Sequence, residues 1–482
     1  MKFKILLLTC LSFNGIIIAQ TPTFQASVNN SAGTQSNQMN VAECDASGNV
    51  YFCGRRTDVI TFGSSTLNSG IGGIYFGKAN SAGVIQWLKG GGTSMPSGDD
   101  ALDLVLDQNN NLYICGTVTA LSPAIFDGVS MAFASPGFVL KLDVNGNVQW
   151  VKEYSNGVRS ITVDNNNVPF INIGSSEVAR IDPANGTILS SGSFTGNLMS
   201  ISQHNIEADA SNNIYVQGGS NIVKFDNALN QLWSTPVTFS LAETFKINLD
   251  NAGNVYATFY ALFGTVTVGT VTKSNFPNGY IFKLDNATGQ PVFVDSVLLA
   301  GAVSKVKEVI PDNAGNYYIM GDGAFNTPHV VKMTDTYTTL WDRALTNTAA
   351  LTEINMISEN CFIISGKHNG TIALDATTLQ LPAGTSGIDN SMMTFLCDGN
   401  VSVDDGMSTR QLAVYPNPVA DNLNIEANGI SEISICDLMG RKIIYKNQGC
   451  GKVDVSDLTA GIYSLSVISN DGFEFTSKFI KE

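Results

Sequence analysis

A ten-residue segment of form Asp-x-x-x-Asn-apolar-Tyr-x-x-Gly returns along the chain, and it limits the possible folds more than any other feature. It reads DASGNVYFCG from Asp45, DQNNNLYICG from Asp107, DASNNIYVQG from Asp209 and DNAGNYYIMG from Asp312. Looser copies are DNNNVPFINIG from Asp164, one residue longer, and DNAGNVYATF from Asp250, which lacks the glycine. A seventh, degenerate copy ends in CFIISG at Gly366. Asp, Asn and Gly make a tight turn that tolerates positive φ, and the apolar-Tyr run is the strand leaving it. Each copy therefore predicts one β-hairpin.

A second hairpin follows each copy, of form apolar-x-Lys-apolar-Asp, a turn, then an aromatic. Its basic residues are Lys78, Lys141, Arg180, Lys224, Lys283 and Lys332. A residue nine positions after five of these is Trp87, Trp150, Leu189, Trp233 or Trp341, so all four tryptophans of the chain fall in one slot. The remaining unit has one more turn residue and puts Phe293 ten after Lys283. The basic stem is expected to pack on the aromatic slot, with its head near the following Asp. Two hairpins per unit make four strands, and successive repeat aspartates lie 62, 57, 45, 41 and 62 residues apart. Units of this size match four-stranded blades packed around an axis, each burying its faces against two neighbours.

The seventh unit has a third strand near Met393 to Cys397, but Asp405 stands where its aromatic partner is due. The mature N-terminus supplies a substitute, because Phe24 precedes Asp45 by 21 residues, much as Trp87 precedes Asp107 by 20. The first strand is thus expected to complete the last blade and tie the ring shut. These repeats resemble the bacterial secreted β-propeller repeat family over residues 24–398. The resemblance implies a seven-bladed propeller and says little about function, because propellers host enzymes, lectins and scaffolds alike.

The chain opens with Lys2 and Lys4, an apolar stretch from Ile5 to Phe13, then Ile16 to Ala19 before Gln20. This reads as a secretory signal peptide, residues 1–20, and not as a membrane span, because Asn14 and Gly15 interrupt it. The net charge of -15 argues against a nucleic-acid partner, since phosphate neutralisation needs clustered Lys and Arg. The mature cysteines, Cys44, Cys53, Cys115, Cys361, Cys397, Cys436 and Cys450, lack zinc-type spacing. Cys436 with Cys450 is the first disulfide to test, and the others read as small buried hydrophobes.

Residues 399–411 form a polar, acidic linker, and a compact β pattern follows over 412–482. It holds LAVYPNPVADNLNI from Leu412, ISICDLMGRKIIY from Ile433, VDVSDLTAGIYSLSV from Val453 and the ending SKFIKE. This segment resembles the type A C-terminal sorting domain of the type IX secretion system of Bacteroidota. The matching residues are Tyr415, Pro416, Asn417, Pro418 and Asn422; Asp437, Gly440 and Lys442; Leu458, Gly461 and Tyr463; and Lys478. The resemblance implies transport by the type IX machinery, removal by a sorting peptidase, and attachment to surface lipopolysaccharide. The residues alone fit equally an immunoglobulin-like accessory domain that stays on the mature protein.

Catalytic signatures are sparse. His204, His329 and His368 lie in different units, with no nucleophile-elbow or HExxH sequence beside them. The Asp-Asn turns lack the register of a calcium loop and its distal bidentate Glu, so no metal and no cofactor is expected. Adjacent Asp99 and Asp100, in the loop 90–101, are the carboxylates a glycoside-cleaving site would draw on. Asp295-Ser296-Val297 resembles an acceptor for O-glycosylation in Bacteroidota. The expected fold is all-β: a seven-bladed propeller over 21–398 closed by its N-terminal strand, then a small β-sandwich sorting domain. The expected function is non-enzymatic binding of a protein or glycan at the cell surface. The alternatives are a carbohydrate-active enzyme using carboxylates at the channel, and a structural surface passenger.

Overall fold

The computed structural model describes residues 23–29, 37–397 and 413–481. Within these it leaves out 94–97, 120–122, 195–204, 262–264, 275–277, 346–348, 380–389, 427–429, 437–441, 448–451, 470–473 and some shorter loop positions. The expected signal peptide and linker lie outside the described residues. The chain divides into two compact units, Met1–Asn400 and Val401–Glu482. Both are all-β.

In the first unit every repeat folds as two consecutive hairpins, giving an antiparallel sheet whose strands follow sequence order. The first sheet holds Gln38–Cys44, Val50–Arg55, Ile74–Ala79 and Ile85–Thr93. The second holds Asp100–Leu106, Leu112–Thr117, Gly137–Leu142 and Val148–Tyr154. The third holds Val158–Val163, Pro169–Ile173, Glu177–Ile181 and Ile188–Ser193. Ile206–Ala208 to Gln231–Phe239 make the fourth, Ile247–Leu249 to Pro291–Leu299 the fifth, and Lys305–Pro311 to Thr339–Ala344 the sixth. The last sheet takes Ala349–Ser358, Cys361–His368 and Asn390–Cys397 from the chain's end and Thr23–Asn29 from its start. Phe24 lies opposite Leu396, and Val28 opposite Met393.

Among the described residues no sheet closes on itself. Instead, the first strand of each sheet touches the first strand of the next, and Ala349–Ser358 of the last touches Gln38–Cys44 of the first. The cores lie between sheets: one cluster joins Tyr51, Cys53 and Phe76 of the first sheet to Leu104, Ile114 and Phe138 of the second. Burying each such side chain contributes roughly 1.5–3 kcal/mol.

The repeat turns are built as their residue types dictate. Asp45 accepts the backbone N–H groups of Ser47 and Asn49 at 2.9 Å each, and the Asn49 amide at 2.8 Å. Asp107, Asp209 and Asp250 repeat the pattern. So do Asp143 and Asp226 in the second hairpins. The carboxylate oxygens that a cation would need are taken by N–H donors. Those donors set the charge state too: hydrogen bonds from Asn230 hold Asp226 below the ordinary carboxylate value. For Asp209, burial alone would raise the carboxyl, but Asn213, Tyr215 and Ser211 together bring it below that value.

The basic slot differs from expectation in two ways. Lys78, Lys141, Lys224, Lys283 and Lys332 each hold the ammonium 4.7–5.0 Å above the ring of the Tyr on the preceding strand. Three of them pair with the repeat Asp before that Tyr, not with the Asp after the Lys: Lys283 reaches Asp250 at 3.2 Å, and Lys224 and Lys332 reach Asp209 and Asp312 at 3.9 Å. The antiparallel return of the strand brings the earlier turn alongside the head, whereas the following Asp is consumed by its own turn. In the third sheet Arg180 faces Ser190, not Leu189. The turn there has the longer form in which Gly186 N–H donates to Asp182, like Gly289 to Asp285, so the register shifts by one and Leu189 turns out to solvent.

The slot is matched in size to the turn of the next sheet. A Cβ on Gly146, Gly186 or Gly289 would lie 2.7–3.0 Å from the ring of Trp87, Trp150 or Trp233 respectively, so a tryptophan needs a glycine opposite. Where the slot is Phe293, the left-handed turn position is Tyr337, at φ 60°, with ring centroids 6.4 Å apart. Where it is Ser190, that position is Leu229, at φ 66° and buried against Gly192. Left-handed non-glycine residues cost backbone energy, which the filled slot offsets.

In the second unit, Ala413–Tyr415, Asn422–Glu426 and Lys452–Asp454 form one sheet. Lys442–Asn447, Ile430–Cys436, Gly461–Ser469 and Glu474–Lys481 form another. Leu423, Ile425 and Val453 share one core with Ile433, Leu465, Val467 and Phe479.

Cys44, Cys53 and Cys115 are free thiols, the last two fully buried, and burial raises both well above the ordinary value. Cys361, expected as a buried hydrophobe, is disulfide-bonded, and the backbone register sets Cys397 opposite it. The Cys436 and Cys450 pair cannot be placed, because Cys450 lies outside the described residues.

Candidate functional site

The first strands of the sheets and the residues just before them carry a belt of polar side chains that ties most sheets to the next. Thr352 Oγ1 and Asn355 Nδ2 of the last sheet donate to the Met39 and Ala42 carbonyls of the first, both at 2.9 Å. Asn40 Nδ2 donates to Asp100 Oδ1 at 2.6 Å and to the Ala101 carbonyl at 2.7 Å in the second sheet. Asp103 accepts from the Ser160 hydroxyl and the Ile161 N–H of the third, and Ser160 Oγ accepts from Asn205 N. Lys246 Nζ, ahead of the fifth sheet, reaches Glu308 Oε2 at 3.1 Å and the Thr352 carbonyl at 2.9 Å. Glu308 Oε2 also accepts the Ile354 N–H.

Backbone irregularity places these groups. Register shifts fall between Met39 and Val41, Ala101 and Asp103, Val158 and Ser160, Val306 and Glu308, and Leu351 and Glu353. A bulge at the same point of five inner strands re-aims the side chains beside it. Lys246, Asp103, Glu308 and Glu353 are all buried. Burial alone would lower the Lys246 ammonium, but Glu308 and Glu353 outweigh it and raise it above its ordinary value.

Of the adjacent acids singled out by sequence, Asp99 is buried and structural: it accepts the Thr93 N–H and hydroxyl and the Thr119 N–H, fastening two loops. Asp100 is different. Burial pushes it from the ordinary 3.8 up to about 6, with Asn40 and Arg55 opposing and Asp99 adding to the rise. A raised folded value means the folded state holds its proton more tightly, so this group costs stability as pH rises from about 4 to 6, by up to about 3 kcal/mol. Asp100→Asn keeps the acceptor for Asn40 without the charge. We expect it to melt a few degrees higher at pH 7.5 and no differently at pH 4; an equal shift at both values in a calorimetric scan would refute the assignment.

The two described histidines each have a partner of their own. His329 Nδ1 lies 2.7 Å from Asp342 Oδ1, His368 Nδ1 lies 2.7 Å from the Gly370 carbonyl, and His204 is outside the described residues. Among the described residues no group of three or more His, Cys, Asp or Glu could hold a metal ion. Ser296, in the resembled acceptor triplet, is exposed on its strand beside Asp295, which lies 3.4 Å from Lys273 Nζ.

In the second unit the two ends of the motif set meet. Asn417 Oδ1 accepts the Ile480 N–H at 2.8 Å, and Val419 N–H donates to the Ile480 carbonyl. Tyr415 is exposed, with its carbonyl bonded to Asn424 Nδ2; Pro416 and Pro418 flank Asn417. Gly461 pairs with Lys481 and Ser464 with Lys478. Tyr463 stacks on Phe479 and donates to the Thr459 carbonyl at 2.8 Å. Gly440 lies outside the described residues.

Residues 413–482 match the family model described as the secretion system C-terminal sorting domain. The second unit is a type IX sorting domain. The protein is therefore secreted by the type IX system, ending outside the cell or attached to its surface, and it engages the secretion machinery. The sorting domain follows an all-β first unit. A curated relative, Beta-agarase D of Zobellia galactanivorans, is 27% identical over 124 residues, 26% of each chain. The chain thus spans about a quarter of that relative's length. Among solved structures, PorZ, a surface component of the type IX secretion system of Porphyromonas gingivalis, is 15% identical with a TM-score of 0.40. That alignment covers 90% of this chain and 58% of PorZ. BamB from Moraxella catarrhalis is 12% identical with a TM-score of 0.40, over 89% of this chain and 95% of that one.

Proposed function

We propose that residues 21–398 form a seven-bladed β-propeller closed by Thr23–Asn29, a non-enzymatic module that binds a protein or glycan outside the cell. Residues 399–411 are its linker and 412–482 the sorting domain, read through Tyr415, Pro416, Asn417, Pro418, Gly440, Gly461, Tyr463 and Lys478. A sorting peptidase then removes that domain, and surface lipopolysaccharide is the anchor in the attached form. The observation that carries the reading is the cyclic order of inner-strand contacts, whose polar groups are spent on one another. Lys246 of the fifth unit even feels the charge of Asp103 in the second, as groups facing one axis would. With Asp103, Glu308 and Asp99 all engaged in structure, binding falls to the loops joining one blade to the next.

Asp100 favours a second reading, a carbohydrate-active enzyme, since a carboxyl raised to about 6 suits a general acid. The mature full-length chain should be tested against a glycan array and a polysaccharide panel. Saturable binding without release of reducing ends supports the binding module. Hydrolysis lost in Asp100→Asn would establish the enzyme instead, and neither result would leave a structural passenger.

A further inference from the structure

The outer edges of the sheets are not treated alike. A hairpin, Pro123–Phe126 with Val129–Ala132, crosses from the second sheet to pair with the outer strand of the first, Ala124 opposite Thr93 and Phe126 opposite Gly91. A Cβ on Gly91 would lie 2.4 Å from the Phe126 ring, so the glycine makes room for the added strand. A second hairpin, Val266–Val268 with Val271–Lys273, caps the fourth sheet, Val237 opposite Val268. The fifth sheet pairs its outer strand with Ala302–Val303. Among the described residues the outer strands of the second and sixth sheets have no added strand, but they carry charges, Lys152 with Glu153 and Asp342 with Arg343. Added strands and edge charges are the usual means of stopping a sheet from pairing with another chain.

Among the described residues the last sheet, whose outer strand Thr23–Asn29 reads TFQASVN, has neither, and the third sheet has neither. Its outer strand, Ile188–Ser193, reads ILSSGS, without charge or proline, and among the described residues nothing pairs with its free side. Ile188 and Leu189 are 47% and 51% exposed. At the end of the strand Phe194 N–H donates to the Ser176 carbonyl and its ring lies against Gly218 of the next sheet; residues 195–204, which follow, are outside the described residues. Beside the strand lies an open cleft of about 310 Å³, lined by Ile188, Thr187, Ile173 and Tyr154 and by the neighbouring charges Lys152 and Glu153, of which Glu153 accepts the Ala134 N–H. Lys152 makes no ion pair among the described residues, in a chain of net charge -15.

We propose that Ile188–Ser193 is the acceptor edge for an extended peptide strand of a partner protein. The chemistry of the occupant is set by what the same protein places on its other edges: apolar residues at alternate positions, as in Val266-Thr267-Val268, pairing antiparallel. Main-chain hydrogen bonds supply affinity in this mode, and pockets for alternate side chains supply specificity. The cleft takes an apolar side chain against Ile188 and Ile173, and Lys152 selects an acidic residue next to it.

The test uses the mature full-length chain and a fluorescein-labelled peptide with the sequence of residues 265–273, TVTVGTVTK, together with a copy whose final Lys is replaced by Glu. Both should bind saturably and protect the amides of residues 188–193 from hydrogen exchange, the Glu copy several-fold more tightly. Ser191→Lys with Ser193→Lys, both on exposed positions, should weaken binding at least tenfold without moving the melting temperature. Lys152→Gln should abolish the preference for the Glu copy. The proposal is overturned if neither peptide binds at 1 mM, if the double lysine variant binds as well as the parent, or if the edge is filled by a second copy. In that last case the parent would sediment as a dimer that the lysines dissolve.

Discussion

A mature chain lacking residues 23–29 is expected to lose cooperative folding, or to melt at least 10 °C below the parent. The strand Thr23–Asn29 pairs with Asn390–Cys397 through Thr23, Phe24, Ser27, Val28 and Asn29. Each backbone hydrogen bond contributes about 0.5–1.5 kcal/mol net. Deletion also turns Asn390–Cys397 into a bare edge, a template for aggregation. The summed loss is of the order of 5 kcal/mol or more, comparable with the whole stability of many domains. Because the truncated chain could simply aggregate, a permuted chain supplies the check. In it, residues 21–37 are moved from the start to follow Cys397 through a short Gly-Ser linker, and the sorting domain is retained. If the strand acts by completing the last sheet, the permuted chain recovers most of the lost melting temperature. A truncated chain that melts within 2 °C of the parent would show that the strand closes nothing.

The position of that strand was legible by counting: Trp87 precedes Asp107 by 20 residues and Phe293 precedes Asp312 by 19, and Phe24 precedes Asp45 by 21, although the interval is 14 after Trp150 and 17 after Trp233. Turns were legible for a similar reason, since Asp and Asn bond their own backbone and need no distant partner. Reading failed where the outcome depends on a second segment. The nine-residue interval put Leu189 in the aromatic slot, but the longer turn at Asp182 moved Ser190 there, and the missing bulk came from Leu229 in the next unit. The head of each basic residue was assigned to the nearest Asp in sequence, whereas the folded hairpin brings the earlier one closer. The sorting motifs were read directly, although nothing in their spacing announced that Asn417 would bond to Ile480.

The inner polar belt was the part of the site with no local signal. Asp103, Ser160, Lys246, Glu308 and Glu353 stand in ordinary strand sequences, and their bulges break no composition rule. Only repetition could have found them: an acid or hydroxyl stands just after the register shift in four of the first strands, as Asp103, Ser160, Glu308 and Glu353. Aligning units on that strand, not on the turn, would have brought the column out. The carboxylates weighed for catalysis, Asp99 and Asp100, differ for the same nonlocal reason. Thr93 and Thr119 close around the first, while the second faces Asn40 of the neighbouring sheet.

Lys246→Met is the substitution expected to cost most at the belt, about 3–5 kcal/mol at neutral pH. The Lys246 side chain is 7% exposed and that of Glu308 1%, and the ammonium joins Glu308 at 3.1 Å, Glu353 at 4.0 Å and the Thr352 carbonyl. Removing one member of a buried ionic group leaves its partners desolvated and uncompensated, which is costlier than the pair is stabilising. The pH dependence identifies the cause. Without the ammonium, the two buried carboxylates are left without their counter-charge, and protonating them removes that cost. The deficit of the variant should therefore shrink as pH falls from 8 towards 4. Replacing both acids as well, by Glu308→Gln and Glu353→Gln, should recover much of the loss at neutral pH. Thermal melts of the parent, single and triple variants between pH 4 and 8 decide the matter: a deficit that stays constant with pH, or a triple variant no better than the single one, would mean that Lys246 holds its three sheets by packing and not by charge.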